Sequence, residues 1–245
     1  NYTTWQFNPN TDSPINDPDF PSGTYSVNLF VVTNEGCSDF VSDSVRYEQK
    51  PVINFDTLIY NYPEKPCLLE GETINYTYTN YSQYYNNYLM TIYDSYQNNY
   101  IANDSNNIVG QPYIYTLPGA GIYDFNLLLE NQINNNLTCI DSISFKIKVY
   151  PKPVAEFLPC DTSGCDSLVI QFRDITNTDY AIGYINSGGD DYIESWTWTF
   201  DNGMIDTNEI PDLQVYNTTE YKDFYPELFI KTNNGCTSTK ICSVF

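Results

Sequence analysis

The chain of 245 residues contains no histidine, and only 10 lysines and arginines stand against 31 aspartates and glutamates. Without imidazole, Ser-His-Asp and Cys-His nucleophile systems and the usual zinc sites are excluded together. Carboxylate-only catalysis stays open, but no motif fixes two acids at a working separation, so no catalytic residue is assigned and no enzyme is expected. A formal net charge of −21 argues against nucleic acid and anionic membranes as partners, because phosphate recognition needs basic patches. No apolar run approaches the ~20 residues of a membrane helix, so membrane insertion is not expected. No helical periodicity stands out, and no signal peptide is expected within these residues. Residue 1 is Asn rather than Met, so the chain is expected to be mature, trimmed, or a window on a longer polypeptide.

What is present points to β-structure. Hydrophobic residues make up 41% of the chain, enough for a packed core. Tyr25, Val27, Leu29 and Val31 alternate with Ser26, Asn28 and Phe30; Leu168, Ile170 and Phe172 alternate with Val169, Gln171 and Arg173; Trp196, Trp198 and Phe200 flank Thr197 and Thr199. A period of two in β-branched and aromatic residues marks half-buried strands. Asn34-Glu35-Gly36, Asn202-Gly203 and Asn234-Gly235 supply turns between them.

An internal repeat organises these strands. Lys50-Pro51-Val52-Ile53-Asn54-Phe55 returns as Lys152-Pro153-Val154-Ala155-Glu156-Phe157, and Cys37 stands the same distance from Cys139. Gly23-Thr24-Tyr25-Ser26-Val27-Asn28-Leu29 returns as Gly121-Ile122-Tyr123-Asp124-Phe125-Asn126-Leu127. Thr33-Asn34-Glu35-Gly36-Cys37 returns as Thr232-Asn233-Asn234-Gly235-Cys236. The boundaries fall at the Lys-Pro pairs, where proline ends strand pairing. Residues 1–50 are then the closing half of a module, and 51–151 and 152–245 are whole modules. The opening half of the first is expected before residue 1. Several short strands per module predict an all-β chain of tandem immunoglobulin-like sandwiches, with Trp196 and Trp198 on one strand face and at least one of them in the core.

The motifs resemble one family. Glu194-Ser195-Trp196-Thr197-Trp198-Thr199-Phe200-Asp201-Asn202-Gly203 is similar to the W-x-F-G-D-G hairpin of polycystic kidney disease (PKD) domains. Ile210-Pro211 and Val215-Tyr216 resemble that family's N-P-x-H-x-Y segment without its histidine, and Thr4-Trp5-Gln6-Phe7-Asn8 resembles the hairpin strand again. Pro21-Ser22-Gly23-Thr24-Tyr25-Ser26-Val27 is similar to its P-G-x-Y-x-V segment, and the T-N-x-x-G-C endings resemble PKD-like repeats of Bacteroidetes surface proteins. The middle module lacks the tryptophan and the D-G turn, and is a diverged relative by this resemblance. The resemblance implies an extracellular, secreted spacer or adhesion module whose partners are neighbouring domains of the same long chain or other surface proteins.

The seven cysteines, none in a CxxC pair, fit an oxidising compartment better than a reducing one. In repeats of the resembled kind, the cysteine before the second strand pairs with that of the G-C ending. This implies Cys67–Cys139 and Cys165–Cys236, leaving Cys160 for Cys242 and Cys37 without a partner in this chain. Free buried thiols are the alternative.

Other signals carry two readings each. Asp190, Asp191, Glu194, Asp201 and Asp206 are either a calcium site, the one cofactor worth weighing, or a solvated acidic surface. The tyrosines from Tyr76 to Tyr100 are either strand packing or a platform for glycans or proteins. Asp-Ser/Thr-aliphatic triplets place Ser44, Thr57, Ser142 and Ser167 in a short motif resembling the O-glycosylation signal of Bacteroidetes exported proteins. Asn75, Asn80 and Asn217 open N-x-S/T triplets that an Asn-rich chain also produces by chance. The function expected is a non-catalytic extracellular stalk, filament or adhesin segment; the alternative is a carbohydrate- or protein-binding accessory module of a secreted hydrolase.

Overall fold

The structure, a computed structural model, describes residues 22–59, 66–105, 108–134, 137–160, 162–164, 167–177, 181–217 and 222–244. The Thr4–Asn8 strand motif, Cys165 and the end of the Asn217 triplet lie outside the described residues. By its contacts the chain forms two compact units. One contains residues 1–54, 82–88 and 128–142, the other residues 55–81, 89–127 and 143–245.

Residues before Lys50 contribute β1 (Gly23–Val32) and β2 (Ser38–Tyr47), an antiparallel ribbon in continuous register from Gly23↔Tyr47 to Val32↔Ser38. The next stretch carries β3 (Phe55–Ile59), β4 (Cys67–Leu68), β5 (Ile74–Asn80), β6 (Asn87–Asp94), β7 (Asn99–Asp104), β8 (Pro112–Leu117), β9 (Gly121–Asn134) and β10 (Leu137–Pro151). These make sheets of order β3-β5-β8 and β4-β10-β9-β6-β7. After Lys152 come β11 (Phe157–Leu158), β12 (Ser167–Ile170), β13 (Arg173–Asp174), a short helix α1 (Ile182–Asn186), β14 (Ile193–Thr199), β15 (Ile205–Asp206), β16 (Gln214–Asn217), β17 (Glu227–Thr232) and β18 (Thr237–Ile241). Their sheets are β15-β14-β17-β18 and the pairs β11-β13 and β12-β16. Among the described residues no sheet joins strands from opposite sides of Lys50-Pro51 or Lys152-Pro153.

The chain is all-β with immunoglobulin-like sandwiches, and the alternating residues explain why. In the middle module Tyr76 and Tyr78 of β5 reach across to Phe125 of β9, with ring centroids 6.0 and 5.6 Å apart. Phe125 stacks on Phe145 at 4.5 Å. Tyr123 donates its hydroxyl to the Gly119 carbonyl at 2.7 Å, a tyrosine corner that pins the start of the strand to the chain just before it. In the last module Phe157 and Phe172 close on Trp198 at 5.3 and 6.1 Å. Trp198 is fully buried and its indole N–H donates to the Asn208 carbonyl at 2.9 Å. Trp196, on the same face, packs at the margin of this core and donates to Asp174 at 2.7 Å.

The repeat has a structural counterpart in its turns. In the first ribbon the Thr33 N–H donates to the Cys37 carbonyl (2.8 Å), Gly36 N–H to Thr33 (2.9 Å), and Cys37 N–H to the Thr33 hydroxyl (3.2 Å). Thr232, Gly235 and Cys236 make the same three bonds at 2.8, 2.8 and 3.2 Å. Gly36 and Gly235 take φ of 83° and 89°, the left-handed region where a Cβ is costly. The helix α1 is absent from the periodicity because five residues give no repeat to read.

Two measurements test this core. Replacing Trp198 by Ala is expected to cost about 3–5 kcal/mol in urea unfolding, whereas Trp196→Phe, at the core margin, should cost much less. Asp206 accepts backbone N–H groups of Asn208 (2.9 Å) and Asp212 (2.7 Å), and these bonds hold its carboxyl below the usual carboxylate range. A carboxyl depressed in the folded state contributes stability above its unfolded pKa of ~3.9 and loses it as pH falls through the folded value. The stability gap between the native chain and Asp206→Ala should therefore narrow steadily as pH drops below about 4, and a pH-independent gap would count against the loop-holding role.

Candidate functional site at the second junction

Pro151-Lys152-Pro153 leads from the end of β10 to the strands that follow, and a short strand pairs beside it. β4 is a two-residue strand that pairs parallel to the end of β10, Cys67 opposite Tyr150 and Leu68 opposite Pro151. Tyr150 N–H donates to the Pro66 carbonyl at 2.8 Å and Lys152 N–H to the Leu68 carbonyl at 2.7 Å. β4 therefore places Cys67 at the end of its own module, beside the junction. There it is bonded to Cys236, in the β17–β18 turn of the last module, with Cα atoms 5.8 Å apart.

This overturns two expected pairings. Cys67 does not pair with Cys139, and Cys236 is not available to Cys165. Cys139 lies near the beginning of β10, the strand whose far end carries Tyr150 beside Cys67, so extended backbone holds the two cysteines apart. Cys139 and Cys37 are free thiols, half-buried and exposed respectively. Cys160 is bonded to Cys242 with Cα atoms 5.4 Å apart, both separations lying within the usual disulfide range.

The helix adds a second contact that the sequence did not disclose. Tyr184 of α1 is buried and its ring lies 5.5 Å from that of Tyr150. Burial pushes its hydroxyl up to about 12, with the neighbouring Tyr150 adding to the shift. Gly183 sits so close to the middle module that a Cβ there would lie 3.3 Å from the Ala120 carbonyl and 3.8 Å from the Tyr96 ring. The only signal in the sequence is the lone Gly183-Tyr184 pair in an otherwise unpatterned loop.

The other predicted site residues fall elsewhere. The Asn234 side-chain amide bonds the Asp190 carbonyl and the Asp191 carboxylate, both at 2.7 Å. Asp201, which accepts the Tyr225 N–H at 2.5 Å, lies beyond the opposite end of β14, so the extended strand separates it from Asp190 and Asp191. Among the described residues no three His, Cys, Asp or Glu side chains could share a metal ion. Tyr76, Tyr78 and Tyr88 are buried, while Tyr81, Tyr84, Tyr96 and Tyr100 are exposed. Tyr93 meets Tyr100 edge-on at 5.0 Å, and with Asn98, Asp124 and Asn126 they line an open groove. Lys146 pairs with Asp124 at 2.8 Å and holds that carboxyl below its usual range. Ser44, Ser142 and Ser167 are exposed; Thr57 lies on β3, its side chain outside the described set. Asn80 is buried, which leaves no room for a sugar there. No helix among the described residues is long and apolar enough to cross a membrane.

No protein family matches the chain, and no curated protein does. Among solved structures, the fibronectin(III)-like modules of Clostridium thermocellum CbhA align at 14% identity and a TM-score of 0.31, over 78% of this chain and 93% of that one. Dpr11 IG1 bound to DIP-gamma IG+IG2 aligns at 7% identity and a TM-score of 0.34, over 77% of this chain and 98% of that one. Likeness this low transfers no role from either protein.

The Cys67–Cys236 bond spans 169 residues of chain. By the chain-entropy estimate such a closure restrains the unfolded state by about 5 kcal/mol. Cys67→Ser is expected to lower the urea midpoint of the chain, by less than that full figure because the overlapping Cys160–Cys242 loop persists. Parallel unfolding curves of the native and variant chains, without reductant, make the comparison.

Proposed function

We propose that the chain is a non-catalytic segment of an extracellular stalk or adhesin, built of PKD-like sandwich modules in series at 51–151 and 152–245 with a closing half-module at 1–50. The observation that carries this reading is the Cys67–Cys236 bond. It gives one junction two covalent connections, the peptide through Lys152 and the disulfide. Two covalent links a short distance apart oppose hinging as well as separation, which is what a spacer under tension needs and what a catalytic scaffold does not. The disulfides are compatible with a secreted location, where they persist. The chain's partners are then neighbouring modules of the same polypeptide or other surface proteins, and the surplus of acidic residues keeps the surface hydrated.

A second reading, a carbohydrate- or protein-binding accessory module, has one observation in its favour: the groove of Tyr93, Asn98, Tyr100, Asp124 and Asn126. An exposed tyrosine ring can stack on a sugar while the amides and carboxylate take its hydroxyls. Glycan-array binding that Tyr100→Ala abolishes would favour this reading.

Single-molecule pulling through the two termini tests the stalk reading. While the bond is intact, tension entering at Cys67 passes directly to Cys236, and the residues between add no length. Reducing the disulfides should release the stretch from Cys67 to Cys236, a sequence separation of 169, roughly 590 Å at ~3.5 Å per extended residue. The same final extension with and without reductant would remove the physical basis of the reading.

A further inference from the structure

The three closing hairpins carry the same apolar row in different surroundings. Leu228 and Ile230 of β17 are fully buried beside Trp198. Their counterparts by repeat in β9, Leu127 and Leu129, are equally buried, as are Tyr123 and Phe125 before them. In β1 the counterparts Leu29 and Val31 are 53% and 49% exposed, and Val41 and Val45 of β2 are 58% and 57% exposed. In the middle module the start of the matching row is covered by the β3-β5-β8 sheet, where Tyr76 and Tyr78 stand against Phe125. An uncovered two-stranded ribbon is marginal by itself.

The cysteines follow the same logic. Cys236, in the turn of one module, is bonded to Cys67, in the opening strands of the module before it. Cys139 is the repeat counterpart of Cys236. It stands two residues before Asp141, whose carboxylate pairs with Lys50 at 2.8 Å, and Asn131 donates to the Gln49 carbonyl at 3.1 Å. Cys139 therefore lies at the first junction as Cys236 lies at the second, and it is free.

We propose that Cys139 is the receiving half of a second inter-module disulfide. Its partner is a cysteine in the opening strands of the sandwich module that the β1–β2 ribbon closes, carried by the same polypeptide on the N-terminal side of that ribbon. Those strands, of the β3-β5-β8 kind, also cover the apolar row of Leu29, Val31, Val41 and Val45. By the same rule Cys37, whose turn matches that of Cys236 bond for bond, receives a cysteine from one module further toward the N-terminus. Each bond forms by thiol–disulfide exchange: two thiols lose two electrons and two protons, and a disulfide-bearing oxidant of the exporting compartment is reduced to two thiols. The inference rests on the reading of the chain as serial modules.

The test is peptide mapping of the natural full-length protein. Thiols are trapped with N-ethylmaleimide before denaturation, the protein is digested without reductant, and linked peptides are identified by mass spectrometry. The expected result is a Cys67–Cys236 link, with the Cys139 peptide joined to a cysteine peptide from preceding opening strands and absent from the trapped pool. Cys139 carrying the trap while Cys67–Cys236 is intact would overturn the inference and leave the serial-module reading standing. A link from Cys139 to Cys37 or Cys165 would also overturn it. A Cys67–Cys139 link would overturn both, and a partner found on a second polypeptide, seen as a reductant-sensitive dimer, would overturn the same-chain assignment.

Discussion

The constraint on which the structure depends is that an apolar strand row must be covered from above. β17 can place Leu228 and Ile230 in full burial only because Phe157 and Phe172 stand opposite Trp198. β9 does so because Tyr76 and Tyr78 stand opposite Phe125. Burying such side chains contributes roughly 1.5–3 kcal/mol each, so the second sheet is a requirement of the hairpin rather than an addition to it. The alternation that makes a strand half-buried thereby dictates a two-layer module. The module in turn fixes where its ends lie and which residues reach a junction.

The junction follows from chain direction. β10 ends at Pro151, and β4 lies parallel to that end, so the opening cysteine of the module is carried to where the chain leaves it. The turn of the following module, shaped by Thr232 and Gly235, presents Cys236 to it. The Tyr150–Tyr184 contact and the close approach of Gly183 to Ala120 add a packed surface beside the covalent one. Both depend on α1, an insertion with no counterpart in the repeat.

Much of this was legible in the residues. Alternation located β1, β12 and β14, and the expectation that at least one of Trp196 and Trp198 is a core residue is met by Trp198. Disulfide connectivity was not legible. Sequence equivalence shows that Cys67 opens a module and that Cys139 and Cys236 close modules, but it is silent on whether opening cysteines bond within a module or forward to the next. That choice is made by the parallel placement of β4, a two-residue strand too short to leave a pattern. Asp190, Asp191 and Asp201 looked clustered because they are near in sequence, yet a strand between them spends that nearness as distance. The tyrosines divided by backbone: those in phase on β5 are core, and Tyr81, Tyr84, Tyr96 and Tyr100 are surface.

The position of the wide disulfide is better explained by geometry than by stability. Loop-closure entropy grows only with the logarithm of loop length, so doubling a loop adds about 0.6 kcal/mol. The Cys67–Cys236 loop of 169 residues is about twice the Cys160–Cys242 loop of 82, so its greater length alone makes it only slightly more restraining than the narrower one. The narrower loop, which holds the last module to itself, already gives most of what cross-linking can give to that module. What the wider loop alone supplies is a restraint on the folded state. It ties the opening of one sandwich to the turn of the next, at a point where the backbone crosses only once. A bond with that placement acts on the relative motion of modules, and removing it should matter more to the stiffness of the junction than to the survival of either core.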